Sequence, residues 1–441
     1  MVATLFLSLI GLALTVSSLA EFSMSNEFEA HEKAIVAAEA GFNLEKYALR
    51  GQDLTTVLSA STEVPEYGTY PEPEPGTSTG RNPMDPNEAR NTDFDSSSPV
   101  AMRTAYGWLT PPEGVVLGTK RYFASLSDNR DETPLGMPED SQTDIDSNVY
   151  MRVIGLHPEP DAEGIARGAG RRNSVAIVEG LLRRDRSFDL TSPLVVEGPD
   201  VDATFDGSAF DLVGDAEHAA VSVISDNPAE GDAQQAYASM LSALGSQGTV
   251  EGAPGPDGVS LVDATDSFRT SDNPDASNVF DANFLANLVD GLRPYADNLY
   301  PGDVSLDGGA VDLGTVDSPK LTLALGNLEV TGASAGAGLL VVKGALDLGG
   351  AFVFDGVVLA IGQGDVWLHG ANKDLTGGLF VARLEDAGDG SYTFGVPTTR
   401  FSGNSNLIFD SDDIQMGLSL LPLRTLSLRE VTPELDPVPG T

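Results

Sequence analysis

Hydrophobic and polar positions fall into three regimes along this chain. From Met1 to Ala20 there is no charged side chain, and Leu5, Leu7, Ile10, Leu12, Leu14 and Val16 belong to one nearly unbroken apolar run. Twenty such residues make a helix of about 30 Å, the thickness of a bilayer's hydrocarbon core. Glu21 ends the run, but the helical signal continues. From Glu21 to Arg50 there is no proline, and the only glycine is Gly41. Ala34, Ile35, Ala38, Phe42 and Leu49 recur at three- and four-residue steps against Glu27, Glu32, Lys33, Glu39 and Lys46. Gly51 is placed as a C-terminal stop. The pattern predicts one rod over residues 1–50, roughly 75 Å long by helix rise, with Leu5, Leu7, Ile10, Leu12, Leu14, Val16, Ile35, Ala38 and Phe42 as its packing positions.

The second regime, residues 51–300, mixes loop with short ordered stretches. Residues 51–147 read largely as linker, because a stretch such as Tyr70-Pro71-Glu72-Pro73-Glu74-Pro75-Gly76 buries too little to offset ordering entropy. Met102 to Leu126 is the ordered part within it. Asn148 to Leu156 and Asn173 to Leu182 are β-rich and partly alternating, and predict antiparallel neighbours joined by a long loop. The Asp206-Gly207 step inside Thr204 to Leu212 signals a hairpin or a solenoid corner. Asp232 to Leu244 and Asn278 to Asp297 read as helices. Residues 148–300 are taken as one α+β domain.

The third regime, residues 301–430, repeats. Asn327-Leu328-Glu329-Val330-Thr331-Gly332, Ala345-Leu346-Asp347-Leu348-Gly349-Gly350 and Asp365-Val366-Trp367-Leu368-His369-Gly370 begin 18 and 20 residues apart, each followed by a more apolar run. Short strands ending in glycine at that period fit the stacked turns of a right-handed β-helix better than a sandwich. Phe401 to Asp410 reads as one further turn, and residues 431–441 as a Pro-rich tail. The fold class is thus α+β: a long N-terminal helix, then a β-rich body whose last part is β-helix-like.

Charge narrows the partners. Acidic residues number 66 against 25 basic ones, a formal net charge of −41. Such a surface repels nucleic-acid phosphates, so no nucleic acid is expected as partner. Lysine occurs only at 33, 46, 120, 320, 343 and 373. Acidic, lysine-poor surfaces suit high salt, where screening relieves self-repulsion, and a halophilic source is expected; a calcium-loaded or simply acidic extracellular protein is the alternative. The one concentration of positive charge, Arg167, Arg171, Arg172, Arg183, Arg184 and Arg186, is assigned to ion pairs with the chain's own carboxylates. There is no cysteine, hence no disulfide, thiolate metal site or cysteine nucleophile.

Candidate chemistry is sparse. His31, His157, His218 and His369 are scattered, with no partner at metal-ligand spacing, and His31 reads as solvated. There is no phosphate-cradling Gly loop and no G-x-S-x-G elbow. No cofactor is expected. Asp144-Ile145-Asp146 opens like a calcium loop but lacks its central glycine and closing glutamate, and Asp410-Ser411-Asp412-Asp413 is a second acidic knot. Asp144, Asp146, Asp410 and Asp412 are the candidate calcium ligands, with solvated acidic loops as the alternative. β-Helices also host polysaccharide-cleaving enzymes that use carboxylates on strand faces. Asp347, Asp355 and Asp365 can fall on one face, but no His, Lys or Arg is placed to make one an acid and another a base, so the repeat reads as a scaffold without a catalytic site.

The apolar run, its amphipathic continuation and Ala37-Ala38-Glu39-Ala40-Gly41 about twenty residues past the apolar edge resemble the PilX-like minor pilins and assembly proteins of type IV pili. The resemblance departs at Leu5, since ordinary pilins carry a glutamate near the start of the run. It implies a helix that sits first in the inner membrane and then packs in a filament against other pilins and assembly proteins. It also implies that the strands of 148–182 lie on the helix's amphipathic half, that the ectodomain is periplasmic or extracellular, and that the protein is not an enzyme. The competing readings are a plain membrane anchor and a secreted β-helix adhesin or polysaccharide-active enzyme whose signal peptide is cleaved after Ser18-Leu19-Ala20.

Overall fold

The computed structural model describes residues 2–59, 121–129, 144, 146–157, 174–206, 210–225, 232–245, 248–271, 273, 275–307, 311–370 and 372–431, and among these the side chains of residues 2–20, 22, 23, 59, 121, 123, 232 and 233 are outside the described set. The chain divides into two compact units: residues 1–49, 54–183 and 423–441 form one, and residues 50–53 and 184–422 the other. These divisions differ from the boundaries expected at 147/148 and 300/301. The reason is strand pairing, which unites distant stretches of sequence in both units.

The first unit is a helix clasped by a sheet. Helix α1 runs without interruption over Val2–Ala48, as the absence of proline requires. Its C-terminal half lies under a four-stranded antiparallel sheet in the order Arg121–Asp128, Asn148–His157, Ser174–Arg183, Arg424–Glu430. The two central strands are the expected antiparallel neighbours; the fourth comes from near the other end of the chain. Small residues let backbone approach backbone here. Ala34, Ala37 and Ala38 are fully buried. A methyl group on Gly155 would sit 2.0 Å from the Ala34 carbonyl, and one on Gly41 would sit 2.5 Å from the Tyr122 ring. Phe42, Leu49, Met151, Val153 and Leu182 fill the remaining core.

Two buried carboxylates are answered inside this unit. Tyr122 donates its hydroxyl to Glu45 at 2.8 Å. Glu179, 2% exposed, receives Arg152 on Oε2 at 2.5 Å and Arg429 on Oε1 at 2.9 Å, which joins three strands by charge. Losing one partner would leave a buried charge uncompensated.

The second unit is a stack of parallel strands. One ladder runs through Asn298–Tyr300, Ser318–Ala324, Ser334–Val342, Phe352–Gly362 and Lys373–Asp386. The other runs through Val304–Leu306, Leu328–Val330, Leu346–Leu348, Asp365–Leu368 and Thr398–Ser402. Leu328 pairs with Leu346 and Leu346 with Val366, which preserves the 18- and 20-residue steps of the sequence. Gly338, Gly356 and Gly377 pair in register and share left-handed φ values of 123°, 133° and 118°. A methyl on Gly356 would meet the Gly338 carbonyl at 2.1 Å, so this column of glycine is a bend repeated in each turn.

The stack does not follow chain order. The C-terminal half of the long strand Lys373–Asp386 pairs with Leu194–Glu197, which pairs onward with Val221–Ile224 and then Leu261–Asp263, all in parallel. Asp202–Asp206 and Phe210–Val213 pair in parallel with Thr398–Ser402 and Ser405–Ile408. The strands on either side of the Asp206-Gly207 step thus pair with different partners and not with each other, while Gly207 itself lies outside the described residues. This is why residues 184–300 belong with the repeat. The helix expected over 278–297 is three short pieces, Ala276–Phe280, Ala282–Gly291 and Arg293–Tyr295, because Asp281 caps the middle one at its start.

Leu328, Leu346, Val366, Phe352 and Phe354 fill the space between the ladders. The first ladder is covered on its other face as well, where Leu321, Leu339, Val357, Leu359 and Phe380 pack with Leu285, Val289, Ile414 and Leu418 from short helices. A sheet buried on both faces reads as a continuous apolar run.

Candidate functional site

Two surfaces carry the residues singled out by sequence. The first is α1. Ala38 and Phe42 are 0% and 2% exposed against the chain's own sheet. They are packed against the unit's own sheet, and Ile35 is half-buried. Among the described side chains of the helix, the large exposed apolar ones are Met24, Phe28, Val36 and Tyr47. Met24, five turns before Phe42, and Phe28 continue the apolar face along the helix, whereas Val36 and Tyr47 lie on its opposite side. Leu5, Leu7, Ile10, Leu12, Leu14 and Val16 lie outside the described side chains. Among the described residues no helix is long and apolar enough to cross a membrane. His31 is not simply solvated; its Nε2 lies 2.9 Å from Glu430 Oε1.

The second surface is the outward face of the Leu328/Leu346/Asp365 ladder. Strand pairing sets Asp347 opposite Trp367 and Trp367 opposite Arg400. His369, just past the end of that strand, stacks on Trp367 with ring centroids 4.0 Å apart, and its Nε2 lies 2.7 Å from Asp347 Oδ1. Asp365 is held by the Gln363 amide at 2.9 Å and lies 3.9 Å from Arg383. Asp347, Asp365, Trp367, Arg383 and Arg400 line a cavity of about 280 Å³ together with Thr398. Lys373 is fully buried, and burial pushes its ammonium below the usual lysine range while the Asp347 charge opposes the shift. The carboxylates thus do have basic partners, contrary to the expectation from sequence. Distant residues, at 347, 369 and 400, become neighbours only through the stacking register.

Asp355 is elsewhere. Its strand belongs to the covered ladder, and its charge acts on Asp413, whose carboxyl is pushed up to about 6 by burial first and then by Asp410, Asp355 and Asp412. The calcium candidates serve local structure. Asp410 caps the helix Ser411–Ser419, accepting from the amides of Asp412 and Asp413 at 2.9 and 3.1 Å. Asp146 accepts from the Asn148 amide at 2.8 Å and from Asn129 at 3.0 Å. The Asp144 backbone meets Thr55 Oγ1 at 3.3 Å. Among the described residues, no three His, Asp or Glu side chains converge at ligand distances. In the arginine cluster, Arg186 pairs with Asp189 at 3.1 Å and Arg184 donates to the Gln52 carbonyl, while Arg167, Arg171 and Arg172 lie outside the described residues.

No family model matches the chain, and no curated protein matches it in sequence. Among solved structures, the competence-associated pilin ComZ from Thermus thermophilus is similar at 12% identity over 91% of this chain and 97% of that one, with a TM-score of 0.18. A likeness of that size adds nothing to the geometry above.

Proposed function

We propose that the chain is a pilin-like subunit, a minor pilin or assembly component of a type IV pilus or related envelope machine. The observation that carries this reading is the clasp in the first unit. One 47-residue helix is held by an antiparallel sheet along its C-terminal half, and its other half is the uncharged run of residues 1–20. A helix so divided has a rigid grip at one end and an apolar segment to insert at the other, first in the inner membrane and then among other pilins. Exposed Met24 and Phe28, one turn apart between the two halves, favour helix-to-helix packing. The stacked strands of the second unit are then β-helix-like turns of a displayed ectodomain, acting by packing and not by catalysis, without a cofactor.

The test is fractionation. The full chain should be recovered in membranes and, on cells that bear filaments, in the sheared filament fraction. A variant lacking residues 2–20 should be in neither, and Phe28→Arg should keep membrane recovery but lose the filament fraction. A mature chain released to the medium with its N-terminus at Glu21 would overturn the reading in favour of a secreted protein.

A further inference from the structure

The open ladder of the second unit presents a second, independent feature. Indole side chains are usually mostly buried, yet Trp367 is 45% exposed, on a strand whose neighbours in sequence, Val366 and Leu368, are 1% and 0% exposed. The indole is also fixed. His369 stacks on it and is itself held by Asp347, so little side-chain freedom remains to be lost when a ligand arrives. A rigid exposed aromatic on a regular strand is a platform.

What surrounds it defines the ligand. Across three adjacent strands the register places Asp347 on one side of Trp367 and Arg400 on the other, a span of about 10 Å at ordinary strand spacing. Asp365 and Thr398, themselves paired in register, supply further oxygen groups at the rim of the same 280 Å³ cavity. Arg400 is exposed and has no side-chain hydrogen bond or ion pair among the described residues, in a chain where acid outnumbers base 66 to 25. Acceptors and donors thus flank one flat apolar face. Fused-ring bases also stack on indoles, but their phosphates meet a net charge of −41. An organic cation would face Arg383 and Arg400. A neutral ring with an apolar C–H face and a rim of hydroxyls satisfies every group present: C–H against the indole, hydroxyls donating to carboxylates and accepting from guanidinium.

We propose that Trp367, Asp347, Asp365, Thr398 and Arg400 form a binding site for a neutral pyranose sugar of a polysaccharide chain. The site does not depend on the helix of the first unit, so it stands apart from the pilin reading. The experiment titrates the full chain, in detergent and in salt sufficient to screen its own charge, with cellohexaose, laminarihexaose and mannohexaose, followed by tryptophan fluorescence and calorimetry. Polygalacturonate serves as the acidic comparison. At least one neutral hexasaccharide should bind saturably. Trp367→Ala should weaken it roughly tenfold or more, Trp367→Tyr should restore most of the binding, and Arg400→Ala should weaken it with the circular dichroism spectrum unchanged. The proposal is overturned if none of the three neutral sugars saturates, if Trp367→Ala binds as the parent does, or if polygalacturonate is preferred.

Discussion

The two parallel ladders of the second unit are made by the same turns of chain, and they end with different surfaces. Beyond the glycine bend, along residues 338–342 and 356–361, every residue is buried, because short helices cover the face that the other ladder leaves open. Along Leu328–Val330, Leu346–Leu348 and Asp365–Leu368 burial alternates, and Glu329 and Trp367 face solvent. Backbone stacking is common to both, so it does not decide residue type; coverage does. Where both faces are covered the sequence must be apolar throughout. Where one is open, every second position is released from packing and can carry chemistry. The Trp367 cluster sits on the open ladder for that reason.

The sharpest way to break this contrast is to cut equivalent outward positions. Leu359, 0% exposed on the covered ladder, should cost about 3 kcal/mol when changed to alanine, since a cavity remains under the helices. Trp367→Ala removes a larger side chain from the open ladder, yet should cost under about 1 kcal/mol. Urea unfolding of both variants checks the pair, and equal losses would show that the two faces are not differently covered.

A backbone position tests the shared part of the two ladders. Gly356 combines a φ of 133° with a methyl position 2.1 Å from the Gly338 carbonyl. Gly356→Ala should therefore cost at least about 2 kcal/mol, from strain plus displacement of the adjoining turn. Gly258, also at positive φ but with nothing near its methyl position, is the control for conformation alone. Its alanine variant should lose clearly less, and a loss as large as that of Gly356→Ala would remove close stacking as the cause.

Much of this was readable in the residues, and the failures have physical causes. The helix was visible because its only interruption after Glu21 is Gly41, and the steps of the repeat because glycine recurs wherever the bend does. The antiparallel pair of residues 148–183 was visible from alternation. Unit membership was not, because the strands at Leu194 and Val221 are four residues each and nothing local states that they stack on Leu379 and beyond. Nor was the Trp367 cluster: Asp347, Trp367 and Arg400 are brought together by register between turns, and an insertion of one residue would change it. At Ala38 and Phe42, periodicity reveals that a face is buried and not what buries it.

The smallest effect probes what coverage does to a charge. Asp413 begins the helix that lies over the covered ladder, and burial together with Asp410, Asp355 and Asp412 raises its carboxyl from 3.8 to about 6. A raised value means that the folded protein holds this proton more tightly than the unfolded chain. The stabilisation is fully present below about pH 4 and is lost as pH rises through about 6. A shift of this size corresponds to at most about 3 kcal/mol, and solvent access to the part-buried group reduces it to about 1 kcal/mol. Asp413→Asn should accordingly match the parent near pH 4 and exceed it by about 1 kcal/mol at pH 7 to 8, less whatever the charge contributes at the helix start. Urea midpoints across that range measure the difference. A variant less stable than the parent at pH 8 would mean that the helix-start charge outweighs burial, and that covering the ladder costs its carboxylates nothing.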